Sequence, residues 1–165
     1  LDYSLEGGKV TDIIWDIPSE STEGIIGEVI EHLLHTITNV AFAEVYPQKW
    51  DWTDTESDLH QAMREAITKG IYDDSGYRER DEDGYNHVST QEFAYWFILA
   101  EWDYFSTAGK VKLDQDHMTG NDEFTIGTSR EVKTQLPLAH HLYIETVKPL
   151  LVAPDKEWIK SNFER

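Results

Sequence analysis

Residues 93–105, FAYWFILAEWDYF, are the stretch that decides the fold. Apolar and aromatic side chains fill almost every position, so a helix over residues 89–104 would be apolar around nearly its whole circumference. A helix of this kind is typical of the centre of a core, where other elements cover it on every side. The rest of the chain must therefore supply the elements that surround it.

Four other segments carry apolar residues at helical spacing between capping residues, glycine or proline: residues 24–46, 56–69, 136–151 and 154–163. Pro47 ends the first of them and Gly70 stops the second. The segments between them are rich in turn residues, with short strands hidden among residues 106–134. The sequence predicts a mainly α-helical single domain over residues 1–165.

A lead-in segment, residues 1–23, precedes the first predicted helix, and residues 10–17 (VTDIIWDI) within it are a candidate short strand. Ser21 or Thr22 is the predicted N-cap of the helix that follows. The chain begins at Leu1 and not at a methionine. We therefore expect a processed or excised chain and an extracellular or exported protein.

The composition restricts the function classes. With a net charge of −18, the surface repels phosphate backbones and anionic membranes, so we expect no nucleic-acid partner. Cations or a basic protein partner fit this charge better. The chain has no cysteine, so His, Asp and Glu are the metal ligands on offer. No apolar run is long enough to span a membrane. The oligomeric state is left open.

Residues 29–37, VIEHLLHTI, place two imidazoles and a carboxylate on one helix. Glu31 and His35 are four residues apart and His32 and His35 are three apart, so each pair shares a helix face. Helices present ligands to a divalent metal in this way. The run differs from the zinc-peptidase motif H-E-x-x-H by exchange of its first two letters. Ordinary charge pairs with nearby glutamates are the alternative explanation.

A catalytic zinc site needs three protein ligands and one open position, and we expect a third or fourth ligand to come from outside this helix. Glu92 is our candidate, at the start of the aromatic helix, with Tyr85 seven residues before it. Two structural explanations stay open. Residues 89–92 (STQE) have the pattern of a capping box, which would use the Glu92 carboxylate, and Tyr85 is a loop aromatic able to pack on the core.

These motifs resemble those of a known family. Residues 29–37 resemble the active-site helix of gluzincin zinc metallopeptidases, and residues 85–97 (YNHVSTQEFAYWF) resemble the second motif of the anthrax lethal factor-like type. Residues 135–151 have the family's proline followed by an aromatic and apolar helix. The resemblance covers residues 24–151 in the same order. It implies a zincin-like fold, zinc as cofactor, and hydrolysis of peptide bonds in a peptide or protein substrate.

By position, Glu31 takes the place of the family's first histidine ligand and His32 that of its general-base glutamate. His35 matches the second histidine ligand, Glu92 the third ligand, and Tyr85 the tyrosine that stabilises the oxyanion. Two ligand sets follow. One is Glu31, His35 and Glu92; the other is His32, His35 and Glu92 with Glu31 as the base. We prefer the second, because imidazole is the better zinc ligand. The exchange also permits a degenerate relative without activity.

A calcium site and a non-catalytic role are two further interpretations of the sequence. Residues 81–84 (DEDG) suggest calcium, but an EF-hand loop with Gly84 at its sixth position needs glutamate where Thr90 stands, so only a different type of calcium site remains. The chain as a whole can instead be a non-catalytic acidic interaction or structural module. In that case the His/Glu helix site is structural or free of metal.

Overall fold

The computed structural model describes residues 22–104, 106–107, 110–111 and 123–163, and within these ranges the chain is mainly α-helical, as predicted. The α-helices are α1 (Thr22–Thr36), α2 (Ala43–Val45), α3 (Pro47–Trp50), α4 (Asp58–Thr68), α5 (Glu82–Glu101), α6 (Ser129–Gln135), α7 (Pro137–Leu142) and α8 (Lys156–Phe163). Among the described helices, none has both the length and the apolar character that a membrane crossing requires. The predicted strand at residues 10–17 lies outside the described residues.

Short irregular and extended elements connect the helices. Two π-helical turns, Ile37–Phe42 and Tyr143–Val147, follow α1 and α7, and a 3-10 turn covers Ser75–Tyr77. Strands β1 (Ser106–Thr107) and β2 (Lys110–Val111) pair antiparallel within the segment where short strands were expected. An isolated antiparallel bridge joins Tyr72 to Phe124 and brings two distant loops together.

Helix α5 lies at the centre of the core, as its aromatic sequence predicts. Every side chain from Phe93 to Ala100 is at most 4% exposed. Helices α1, α4 and α6 and both π-helical turns pack against it. Trp50 of α3 is fully buried and stacks on Phe97 with ring centroids 6.2 Å apart, while its Nε1 donates to Thr146 Oγ1 at 3.0 Å. Helices α1 to α7 therefore share one hydrophobic core built around α5.

The start of α5 corrects the sequence prediction, because the helix begins at Glu82 and not at Ser89. Asp81 is the N-cap, and its Oδ1 accepts a hydrogen bond from the Gly84 backbone N–H at 2.8 Å. A Cβ on Gly84 would lie 2.8 Å from this carboxylate oxygen, so glycine permits the close approach. Acidic residues in the first turn suit the positive end of the helix dipole. The acidic run suggested for calcium is therefore a helix start.

The capping box predicted at residues 89–92 is wrong for the same reason. Ser89 and Thr90 lie inside the helix, where their hydroxyls donate to the carbonyl oxygens of Tyr85 and Asn86, each at 2.6 Å. Hydroxyls bonded one turn back are typical of helix interiors and not of N-caps. The Glu92 carboxylate is thus not needed at a helix terminus.

The other helix boundaries agree in part with the sequence. The predicted helix over residues 24–46 corresponds to the continuous run of α1, the π-helical turn and α2. Gly70, with φ +66°, lies just after α4 and prevents the helix from continuing. The N-cap of α4 is Ser57, whose side chain accepts a hydrogen bond from the His60 backbone N–H. The predicted helix over residues 136–151 leaves α-helical geometry at Tyr143.

Helix α6 lies mostly within residues 106–134, for which the sequence predicts turns and short strands and no helix. Its N-cap is Thr128, and the Glu131 carboxylate reaches back to the Gly127 backbone N–H at 3.1 Å and to Thr128 Oγ1 at 2.8 Å. This threonine and glutamate, three residues apart, form the signature that would have identified the helix.

A buried carboxylate ties the end of α5 to the C-terminal helices. Glu101 is 6% exposed, and its two oxygens bind His140 Nδ1 at 2.7 Å and Ser129 Oγ at 2.8 Å. Asp103, in the left-handed region at φ +48°, accepts a hydrogen bond from the Ser129 backbone N–H at 2.9 Å. Burial raises the pKa of Glu101, and the bonds from His140 and Ser129 offset part of this rise.

We expect Glu101→Gln to gain stability relative to the wild type as the pH rises. A carboxyl whose pKa is raised by folding contributes stability below its unfolded pKa of about 4.3, and this contribution is lost as the pH rises through the folded pKa. Glutamine has no such dependence. Urea unfolding of both proteins between pH 4 and pH 7 measures the difference in free energy of unfolding, and a difference independent of pH would contradict the account.

Candidate metal centre

The interface between α1 and α5 carries a line of polar side chains inside the core. Glu31, His35 and Asn39 follow one another at intervals of four residues, so they lie along one side of α1 and the π-helical turn after it. His35 is 2% exposed and Asn39 is 4% exposed. Ile30 and Leu34 of α1 belong to the hydrophobic core beside them. Burial of α1 therefore brings an imidazole and its polar neighbours to the central helix.

Three ligand-type atoms converge at this interface. One carboxylate oxygen of Glu31, one imidazole nitrogen of His35 and one carboxylate oxygen of Glu92 all lie within 4.8 Å of one another. His35 Nε2 is 3.7 Å from Glu92 Oε1, and the Glu92 side chain is 16% exposed. Within the described ranges, this is the only group of three or more His, Asp or Glu side chains with such spacing.

The chemistry of these three groups fits a divalent cation. Imidazole nitrogen and carboxylate oxygen are ligands of zinc and of other first-row divalent metals. Two carboxylates this close together repel each other, and the repulsion is stronger in a partly buried position than in water. A divalent ion between Glu31 and Glu92 would remove the repulsion and balance their two charges. Three protein ligands would leave coordination positions open.

Of the two ligand sets that the sequence leaves open, the structure assembles Glu31, His35 and Glu92. His32 lies beside the group, with its ring centroid 5.8 Å from that of His35 and the rings nearly perpendicular, but contributes no atom to it. Each residue of an α-helix turns by about 100°, so His32 lies about 60° from His35 around the helix axis, to one side of the line that Glu31 and His35 share. The arrangement favours the set that we did not prefer, and the metal ligands stay a prediction.

Tyr85 is placed away from the three groups. Its hydroxyl donates to Asp74 Oδ2 at 2.6 Å, and Asp74 also pairs with Arg78. Burial and the bond to Asp74 raise the pKa of Tyr85 to about 12. Because α5 begins at Glu82, Tyr85 occupies its first turns, about two helical turns before Glu92. The role of Tyr85 as an oxyanion donor therefore gains no support from the geometry.

The charges of the candidate ligands Glu92 and Glu31 act on the hydroxyl of Tyr77, a residue that no sequence pattern indicated. Its hydroxyl donates to Glu123 Oε1 at 2.7 Å. Burial raises the pKa of Tyr77 above its usual range, and the charges of Glu92, Glu123 and Glu31 raise it further. No local motif indicates this position, since the contact depends on two loops that meet only in the folded chain.

Asn39 and Gln91 are a second feature that sequence reasoning missed. Asn39 Nδ2 donates to Gln91 Oε1 at 3.0 Å, both side chains are buried, and Gln91 immediately precedes Glu92. Asn39 lies in the π-helical turn that begins two residues after His35. Turns of this type are rare and occur frequently at functional sites, so the π-helical turn is itself a pointer to this interface.

Comparison of the chain with protein-family models, with curated protein sequences and with solved structures gives no match. The function therefore has to be argued from the interface between α1 and α5 itself. The zincin-like fold implied by the sequence motifs stays a prediction.

We expect divalent metal to raise the melting temperature of the wild-type protein and not that of His35→Ala. An ion that binds only the folded state stabilises it by about 2.7 kcal/mol when its concentration is 100 times Kd. Differential scanning fluorimetry with Zn²⁺, Co²⁺ or Mn²⁺ against a chelator measures the shift. His141→Ala, an exposed histidine on α7, is the control and should keep the full shift. An equal shift in His35→Ala would show that the metal binds elsewhere.

Proposed function

We propose that this chain is a zinc-dependent hydrolase of the metallopeptidase type, with Glu31, His35 and Glu92 as the metal ligands and a peptide or protein as substrate. One observation carries the proposal: two helices bring a buried imidazole and two carboxylates within 4.8 Å of one another. The order of motifs along the chain, which resembles lethal factor-like peptidases, gives the reaction class.

The protein side chains have distinct roles in this proposal. Glu31, His35 and Glu92 hold the ion, which when bound supplies a Lewis acid that polarises a peptide carbonyl and acidifies water. His32 stands where the family has its general base, next to His35, and histidine is the side chain that most often serves as a general base. Two carboxylate ligands make the metal less acidic than a set with two histidines, so a proton acceptor beside the site is needed.

Metal content is the first test of this proposal. We expect about one zinc per chain in natively purified wild-type protein by elemental mass spectrometry, and a loss of that zinc in Glu92→Gln. Glu101→Gln is the matched control, because Glu101 is also a carboxylate of α5 that contacts a histidine, but lies outside the group. Absence of metal from the wild type, even after incubation with zinc, would exclude the proposal.

The same measurement on two further variants decides between the ligand sets. If Glu31, His35 and Glu92 bind the ion, Glu31→Gln loses metal and His32→Ala keeps it. The opposite pattern would restore the set of His32, His35 and Glu92, with Glu31 as the base.

Cleavage of a quenched fluorescent peptide library tests the reaction itself. We expect the zinc-loaded wild type to cleave and Glu92→Gln to be inactive. His32→Ala should retain metal but lose roughly 10²- to 10⁴-fold in rate, the range that a general base contributes. Full activity in His32→Ala would remove the proton-accepting role from this residue.

A second candidate function is a non-catalytic acidic module with a structural metal. The position of the three groups favours it, because α1 and α5 are both part of the core and a metal between them would clamp their packing. The net charge of −18 suits a basic protein partner. Stoichiometric metal without any peptide cleavage would select this candidate over the hydrolase.

A further inference from the structure

Asn39 has a buried oxygen whose role the packing of α1 and α5 does not explain. The side chain is 4% exposed and its Nδ2 is bound to Gln91, whereas Oδ1 has no hydrogen-bond partner among the described residues. A buried carbonyl oxygen without a donor is costly, and native proteins usually satisfy such a group with protein, water or an ion. The Oδ1 atom of Asn39 therefore still requires a hydrogen-bond donor.

The residues around Asn39 belong to the same two helices as the candidate metal ligands. Asn39 follows His35 by four residues on the same side of the helix, and Gln91 is the residue before Glu92. Two neighbours of the candidate ligands thus form a hydrogen-bonded pair next to them. Asn39 is held by Gln91, so its amide has a defined orientation one helical turn after His35.

We infer that Asn39 is a positioning residue of the metal centre, whose Oδ1 accepts a hydrogen bond from water that a divalent ion carries into the site. This inference rests on the proposed metal site. A centre with three protein ligands keeps water at its remaining positions. A fixed acceptor orients that water and increases the affinity for the ion, as outer partners of metal sites generally do.

Thr38 provides a matched comparison on the same turn. It is also fully buried, but its Oγ1 donates to the Leu34 carbonyl at 2.9 Å, so the requirement of its hydroxyl for an acceptor is met within the helix. Replacement of Thr38 by valine changes the same part of the core without removing the Asn39 carbonyl oxygen.

The test is the Kd for Co²⁺, measured by titration of its visible absorption in the wild type and in variants. We expect Asn39→Leu to raise Kd at least about 10-fold and to shift the absorption band, since loss of an outer partner typically costs 10- to 100-fold in affinity. Asn39→Asp keeps an acceptor and should retain tight binding. Thr38→Val should leave both Kd and the band unchanged.

Four other results are decisive. A Kd for Asn39→Leu equal to that of Thr38→Val would overturn the role of Asn39 while the metal site stands. If Asn39→Leu does not fold, Gln91→Met is the alternative, because it removes the hydrogen bond that orients the Asn39 amide and leaves Oδ1 in place. An unchanged Kd in Gln91→Met would overturn the inference. Co²⁺ bound equally well by His35→Ala, or not bound by the wild type, would overturn the metal site as well.

Discussion

From Ser89 to Glu101, helix α5 is buried on almost every side, and this constrains the polar groups in that part of the helix. Glu101 meets the constraint with hydrogen bonds from His140 and Ser129, at 2.7 and 2.8 Å. Glu92 is placed differently, because a carboxylate oxygen of Glu31 and an imidazole nitrogen of His35 lie within 4.8 Å of its own carboxylate oxygen. The first arrangement is a structural contact, whereas the second has the spacing of a candidate cation site.

The packing of α1 on α5 follows from the same constraint. Ile30 and Leu34 join the hydrophobic core, and the residues at intervals of four from Glu31 present polar groups to the central helix. The proposed metal site accounts for Glu31, His35 and Asn39 at this interface, because buried polar groups seldom improve stability over apolar ones.

Much of the fold could be predicted, because the spacing of apolar residues and the glycine, proline and capping residues that end helices are local properties of the sequence. The aromatic run around Phe97 identified the centre of the core, and Gly70 identified the end of α4. The start of α5 was misplaced because residues 81–88 are acidic and polar, although Asp81 and Gly84 formed a readable cap. The π-helical turns could not be predicted, since tertiary packing decides where a helix accepts an extra residue.

The candidate site was predicted in its members but not in its arrangement. Glu31, His35 and Glu92 are all among the residues that the sequence selected, whereas the place of His32 depends on the rotation of α1 against α5. Helical spacing defines which residues share a face, but not which face meets the partner helix. Tyr77 and Gln91 lay beyond sequence reasoning, because their contacts join segments that are distant along the chain.

Anomalous diffraction from crystals grown with zinc tests the central claim most directly. Data collected on both sides of the zinc absorption edge locate the ion without assumptions about its ligands. The account predicts one strong peak between α1 and α5, with Glu31, His35 and Glu92 at zinc–ligand distances of about 2.0–2.2 Å. A peak bound to other residues, or no peak between these helices at saturating zinc, would contradict it.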